Sequence, residues 1–164
     1  QGLSIACGSA YGIRMDNSNR RVYCIMGDGE QQEGSIWEAV MFAGHYKLDN
    51  LCAVIDYNHR QIDGKVEDVL NIAPLAEKYW SFGWNVYEID GHNMEEILGA
   101  YRAASEFRGK PSVIIGQTVM GKGVSFIEDL SEWHGKPPTP EEGEKSLAEL
   151  DTSYSEWSER LRNG

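Results

Sequence analysis

Short apolar segments alternate with helical segments along this chain, and this alternation constrains the fold more than any other feature. The segments "LCAVID" and "SVIIGQTV" are nearly continuous apolar runs, which is typical of strands that are covered on both faces. With two further apolar runs they make four predicted strands, over residues 21–26, 51–56, 84–90 and 112–119. Because helical patterns separate these strands, we predict an α/β fold with a mainly parallel sheet flanked by helices.

The helical segments carry their own start and stop signals. The opening stretch "QGLSIACGSAYGI" is rich in small residues and predicts a tightly packed helix. Further helices are predicted over 33–47, from Pro74 to Gly83, and after Asn93, where Glu96 completes a capping box. The apolar face that we expect on this last helix consists of Met94, Ile97, Leu98 and Tyr101.

The chain is predicted to form one domain followed by a short tail. We assign residues 1–150 to the α/β domain and residues 151–164 to a C-terminal amphipathic helix or tail, after a proline-containing loop over 128–143. The apolar positions of the tail recur at spacings of three and four, and they are Leu147, Leu150, Tyr154, Trp157 and Leu161. Packing on the same domain and docking on a partner chain would both explain this pattern.

Charge and composition exclude several classes of function. The net charge of −11 leaves no basic stripe for phosphate neutralisation, so we expect no nucleic-acid partner. No apolar run is long enough to span a bilayer, so we expect no membrane partner and a cytoplasmic location. Cys7, Cys24 and Cys52 lie among apolar or small neighbours without CxxC spacing, and we interpret them as reduced core residues.

Polar residues follow the first two predicted strands. Gly27-Asp28-Gly29 comes directly after the first strand, and Asn58 follows the second. In a parallel sheet such strand ends share one edge, which is where ligands bind. One carboxylate, one amide oxygen, a main-chain carbonyl and two diphosphate oxygens would suit Mg²⁺, and the N–H of Gly29 at a helix entrance would favour an anion. The alternative is that both segments are turns only.

A further acid lies in an apolar context. Glu38 is surrounded along the chain by Ile36, Trp37 and the apolar run 39–42. We therefore expect a buried carboxylate that keeps its proton or shares one through a strong hydrogen bond. The alternative is that Glu38 occupies the one solvent-facing edge of the helix.

Taken together, these segments resemble the transketolase family of thiamine-diphosphate enzymes. The Gly-Asp-Gly and Asn58 elements resemble the thiamine-diphosphate motif, and their flanking residues resemble transketolase in particular. The segments that carry the resemblance, in chain order, are "GDGEQQEGSIWEAVMFAGHYKLDNL", "DYNHRQIDG", "FGWNVYEIDGHN", "GKPSVIIGQTVMGKGVSF" and "EWHGKPP". The resemblance extends to Leu150 and implies the diphosphate-binding domain of the N-terminal subunit of a split transketolase, lacking its first part.

The resemblance implies a metal and cofactor site. Asp28 and Asn58 would bind Mg²⁺, or Ca²⁺ or Mn²⁺ in its place, through their side chains, and Arg60 would do so through its main-chain carbonyl. Gly29, through its backbone, and Asn58 would contact the cofactor, and Ile62 would press against the cofactor rings.

The resemblance also implies roles for residues outside that motif. Lys122 would bind the cofactor diphosphate in place of a lysine that some transketolases have where this chain has Met120. His134 would contact the diphosphate or the reacting sugar and is expected to be catalytic. Glu33 and Glu38 would belong to the acidic relay that links the two active sites across the family's dimer.

The implied activity is transfer of a two-carbon ketol unit from a ketose phosphate to an aldose phosphate, as in the pentose phosphate pathway, with thiamine diphosphate as cofactor. The implied partner is a pyrimidine-binding domain or C-terminal transketolase subunit, in a homodimer or heterotetramer, and without it we expect no turnover. The alternatives within the cofactor class are deoxyxylulose-phosphate synthase, a phosphoketolase and the alpha subunit of a keto-acid dehydrogenase. A non-catalytic isolated module is the alternative outside that class.

Overall fold

The computed structural model describes residues 1–150. The strands in this range are β1 (Val22–Gly27), β2 (Leu51–Tyr57), β3 (Arg60–Gln61), β4 (Gly64–Lys65), β5 (Asn85–Asp90) and β6 (Ser112–Gln117). The α-helices are α1 (Gly2–Met15), α2 (Gly34–Tyr46), α3 (Val66–Leu70), α4 (Leu75–Ser81) and α5 (Met94–Glu106), and residues 140–150 are helical as well. Short 3₁₀ turns occupy Gly29–Gln32 and Ser131–Trp133.

A parallel sheet in the order β1-β2-β6-β5 forms the centre of the described range. Its register places Gly27 of β1 opposite Asp56 of β2, and Asp56 opposite Gly116 of β6. The carboxyl ends of these three strands therefore lie side by side at one edge. This architecture confirms the predicted α/β fold with a mainly parallel sheet flanked by helices.

The sheet buries both of its faces, which explains the nearly continuous apolar runs. On one face Leu51 and Ile55 of β2 join the core that α1, α2 and α4 cover. On the other face Cys52 and Ile114 pack with Ala100 of α5. Within residues 1–150 no helix combines the length and apolarity that crossing a membrane requires.

The apolar face predicted for α5 is wrong in part. Met94 and Leu98 are exposed, whereas Ala100 and Ala104 are the residues that this helix buries. Small side chains allow the helix to lie close to the sheet, so the packed face follows the alanines rather than the largest residues. The capping box at Asn93 is present, because its side-chain oxygen accepts from the backbone N–H groups of Glu95 and Glu96.

Two loop predictions also need correction. The segment "YNHRQIDGK" contains the small antiparallel hairpin β3–β4, with Gln61 paired to Gly64. The proline-containing loop ends at residue 139, where Thr139 and Glu142 bond reciprocally as a capping box and start a helix. In this helix Leu147 is exposed, and the remaining positions of the predicted seam beyond Leu150 lie outside the described residues.

The cysteine residues provide a test of the core. Cys7, Cys24 and Cys52 are free and buried, as predicted, and burial raises the pKa of the Cys7 and Cys52 thiols to about 11. Burial is also the main cause that raises the pKa of Cys24. Because reaction with a disulfide reagent needs an accessible thiolate, we expect the native chain to react slowly with Ellman's reagent at about pH 8. After unfolding in guanidinium it should release three thiols per chain. Rapid release of even one equivalent from the native chain would contradict this packing.

Candidate functional site

The buried carboxylate of Asp28 joins the ends of β1 and β2. Asp28 is only 1% exposed and directly follows β1. Its Oδ2 accepts a hydrogen bond from the backbone N–H of His59 at 2.5 Å, and its Oδ1 accepts from the N–H of Gly29 at 2.8 Å. The backbone N–H of Asp28 donates to the carbonyl of Asp56 at 3.2 Å. The fold thus brings together the two segments that the sequence analysis selected.

Asn58 is held by short-range bonds within the loop after β2. Its Oδ1 accepts from the backbone N–H of Arg60 at 2.9 Å, and its Nδ2 donates to Asp56 Oδ2 at 3.1 Å. Thr118 at the end of β6 donates its hydroxyl to the other carboxylate oxygen of Asp56. Carboxylate and amide oxygens each have more than one lone pair, so Asp28 and Asn58 keep acceptor capacity for a cation.

The electrostatics of Asp28 favour a cationic ligand. Burial raises the pKa of the Asp28 carboxyl, and the hydrogen bonds from His59 and Gly29 oppose that rise. A nearby cation would stabilise the ionised form. Within residues 1–150 no three His, Cys, Asp or Glu side chains cluster in a metal-binding arrangement. A metal at Asp28 would therefore use a mixed set of carboxylate, amide and carbonyl oxygens, as Mg²⁺ does.

Arg60 anchors the hairpin that carries its main-chain carbonyl. Its guanidinium forms a bidentate pair with Asp129, with Nε 2.7 Å from Oδ1 and Nη2 2.6 Å from Oδ2. The pair connects β3 to the loop that follows β6. The hydrogen bond from Arg60 lowers the pKa of Asp129. The sequence analysis used Arg60 only for its carbonyl, although a charged residue at a position usually apolar in the family was the available signal.

Three other predicted site residues lie on neighbouring segments. Ile62 is 74% exposed, in the turn between β3 and β4. Lys122 forms an ion pair with Glu128 at 3.3 Å. His134 is half-buried and follows a 3₁₀ turn that packs against β4. Ile62 and His134 are thus on segments that meet at the hairpin, whereas Lys122 is directed toward Glu128.

Glu33 and Glu38 are both exposed on this chain. The prediction of a buried Glu38 carboxylate is therefore wrong for the chain as described. Helix α2 buries one face through Ile36, Ala39, Val40 and Ala43. Glu38 lies outside that face and lines a cleft of about 280 Å³ with Cys7 and Phe42, between α1 and α2. The apolar residues Met41 and Phe42 are exposed beside it.

A buried polar network behind the Asp28 turn was missed by the sequence analysis. Tyr79 of α4 donates its hydroxyl to Gln31 Oε1 at 2.8 Å, and Gln31 Nε2 donates to the carbonyl of Gly27 at 3.1 Å. Trp37 of α2 donates its indole N–H to the carbonyl of Gln31 at 2.8 Å. Gln31 is only 1% exposed. Along the chain Gln31 lies in a polar run that is typical of a turn, so the sequence offered no signal for this role.

Comparison with known proteins gives consistent matches. A family model described as "Transketolase, thiamine diphosphate binding domain" matches residues 10–155. The chain is 41% identical to the first of the named subunits of apulose-4-phosphate transketolase from Phocaeicola vulgatus, over 99% of this chain and 58% of that protein. It is 46% identical to 6-deoxy-6-sulfo-D-fructose transketolase subunit SqwG of Clostridium sp., over 92% of this chain and 55% of that protein. The chain thus spans little more than half the length of these curated relatives.

Solved structures give the same result for the fold. The chain superposes on the transketolase of Campylobacter jejuni with a TM-score of 0.81 and 30% identity, over 92% of this chain and 24% of that one. It superposes on a Pichia stipitis transketolase in complex with sedoheptulose-7-phosphate with a TM-score of 0.77 and 28% identity. That match covers 94% of this chain and 26% of the other.

The network behind the Asp28 turn predicts a stability effect. In Tyr79→Phe the buried Oε1 of Gln31 loses its donor, which should lower the free energy of unfolding by about 1–3 kcal/mol in a denaturant titration. Tyr11→Phe is the matched control, since Tyr11 is partly exposed, and it should change stability by less than about 0.5 kcal/mol. Equal stabilities for Tyr79→Phe and the wild type would show that this hydrogen bond contributes nothing.

Proposed function

The chain belongs to the transketolase family, through its thiamine-diphosphate-binding domain, and from that membership we propose that it is the diphosphate- and Mg²⁺-binding subunit of a two-part transketolase. The observation that carries the proposal is the buried Asp28 carboxylate at the edge of the parallel sheet, bonded to the loop that contains Asn58. Ligands of open α/β sheets bind at this edge.

The residues present fit the metal and the diphosphate. Asp28 and Asn58 would bind Mg²⁺, or Ca²⁺ or Mn²⁺, through side-chain oxygens, and Arg60 would do so through its main-chain carbonyl. Gly29 would meet the diphosphate through its backbone, because it has no side chain to keep the ligand away. The Arg60–Asp129 pair holds the loop that presents the Arg60 carbonyl.

Further residues would complete the cofactor site. Ile62 offers an exposed apolar side chain suited to the cofactor rings. His134, on the segment beside the same hairpin, would bind the diphosphate or the reacting sugar. Lys122 would have to exchange its Glu128 partner for the diphosphate, which is a modest cost for an exposed ion pair.

The proposed reaction is ketol transfer from a ketose phosphate to an aldose phosphate. Bound thiamine diphosphate supplies the electron sink for this chemistry, and the protein supplies orientation and charge. The two relatives are named for different sugars, apulose-4-phosphate and 6-deoxy-6-sulfo-D-fructose, so the proposal extends beyond pentose phosphate pathway sugars. We place the reaction in the cytoplasm.

A partner is part of the proposal. This chain holds the metal and diphosphate end of the cofactor, and a pyrimidine-binding domain or C-terminal subunit would hold the other end. The two relatives are themselves named as subunits. We propose a heterotetramer or a homodimer in which the exposed Glu33 and Glu38 relay protons between sites by facing the neighbouring subunit.

Cofactor binding tests the site itself. With the partner subunit present, we expect calorimetry to detect thiamine-diphosphate binding that requires Mg²⁺ and disappears with EDTA. Asp28→Ala, and the similar-sized Asp28→Asn, should weaken this binding at least about tenfold, or about 1.4 kcal/mol. Asp16→Ala, at the exposed end of α1, is the control and should bind normally. Unchanged affinity in both Asp28 variants, with folding verified by circular dichroism, would refute the proposed metal site.

Turnover tests the reaction. We expect ketol transfer from ketose phosphates when this chain is mixed with its partner subunit, and none from the chain alone, because half of the cofactor site is absent. Pyruvate as donor should give no reaction, and preference for pyruvate would favour a deoxyxylulose-phosphate synthase or keto-acid dehydrogenase instead. Activity from the isolated chain would show that no partner is needed.

A further inference from the structure

Gln61 places an unsatisfied polar atom against the Asp28 turn. Its Oε1 is buried and has no hydrogen-bond partner among the described residues. A Cβ built on Gly29 would lie 3.4 Å from Gln61 Cβ and 3.5 Å from Oε1. The carboxamide therefore lies directly beside Gly29. A buried acceptor without a donor costs about 1–3 kcal/mol, so its presence calls for a physical explanation.

The hairpin fixes where this side chain goes. Arg60 and Gln61 are successive residues of β3, and successive side chains of a strand point to opposite sides. Arg60 reaches Asp129 on one side, and Gln61 reaches Gly29 on the other. The hairpin thus presents the Arg60 carbonyl and the Gln61 carboxamide to the same turn. The nearest backbone donor is already used, because the N–H of Gly29 donates to Asp28 Oδ1.

The proposed ligand set leaves one position for water. Asp28, Asn58, the Arg60 carbonyl and two diphosphate oxygens make five ligands, whereas Mg²⁺ requires near-octahedral coordination and commonly keeps water. A metal-bound water is a strong hydrogen-bond donor, and an unpaired carboxamide oxygen is a suitable acceptor for it.

We propose that Gln61 is a positioning residue for the metal, and that its Oε1 accepts a hydrogen bond from a water molecule bound to Mg²⁺. This inference rests on the proposed function. It explains why the chain keeps an unpaired acceptor beside Gly29, since the donor arrives with the metal. Residues that bond to a metal's ligands in this way contribute about 10- to 100-fold to metal affinity.

The test is a Mg²⁺ titration, read by calorimetry, of the complex between this chain and its partner subunit, with thiamine diphosphate at saturation. Gln61→Met keeps the volume and removes the acceptor, and we expect it to weaken Mg²⁺ affinity about tenfold or more. Gln61→Glu keeps an acceptor oxygen and should retain or raise the affinity. Gln32→Met is the matched control, because the carboxamide of Gln32 donates to the carbonyl of Leu70 instead, and it should bind Mg²⁺ normally.

Each outcome decides the question. Loss in Gln61→Met with retention in Gln61→Glu supports the acceptor role, and a merely structural glutamine would not show this rescue by glutamate. Normal affinity in Gln61→Met overturns the inference. Equal weakening in both variants also overturns it, because that pattern belongs to a carboxamide that donates to the diphosphate. If the wild type itself fails to bind thiamine diphosphate with Mg²⁺, the proposed function fails, which is a separate result.

Discussion

The hydrogen bond between the buried Asp28 carboxylate and the backbone of His59 is the interaction on which the rest of the site depends. It joins two loops that leave the sheet from neighbouring strands and are 31 residues apart along the chain. Burying a carboxylate is costly, and two backbone N–H groups offset part of that cost. The burial that raises the pKa of Asp28 also makes its carboxylate a strong ligand for a cation, because little water competes for it.

The two loops joined by Asp28 are stabilised in different ways. The Gly27 turn is supported from the core by Gln31 and Tyr79, whose bonds are shielded from water. The hairpin after β2 is supported at the surface by the Arg60–Asp129 pair, where Asp129 is 55% exposed. Because the pKa of Asp129 is lowered, this support is present above the usual carboxyl range and is lost as the pH falls through the lowered pKa. Solvent screening keeps its contribution small, so the core network is the more durable of the two supports.

The sequence predicted the sheet and the meeting of Asp28 with the Asn58 loop, because parallel strands with apolar cores must end at a common edge. It did not predict Gln31, Tyr79 or Gln61, whose roles depend on partners far along the chain or on a side-chain direction set by a two-residue strand. Glu38 shows a further limit of sequence patterns. Its apolar neighbours surround the whole helix, but local sequence does not say which side this chain itself covers, and the described chain leaves Glu38 exposed.

The exposed acids and the buried site are nevertheless parts of one rigid unit. The 3₁₀ turn that begins at Gly29 leads directly into Glu33, which caps α2, and Trp37 ties that helix back to Gln31. The opposite face of α2 packs into the core, so the helix has little freedom to move independently of the Asp28 turn. Under the proposed function, a neighbouring subunit that contacts Glu38 would therefore act on a helix fixed to the metal-binding turn, and the same packing that positions Asp28 would position the acids that face that subunit.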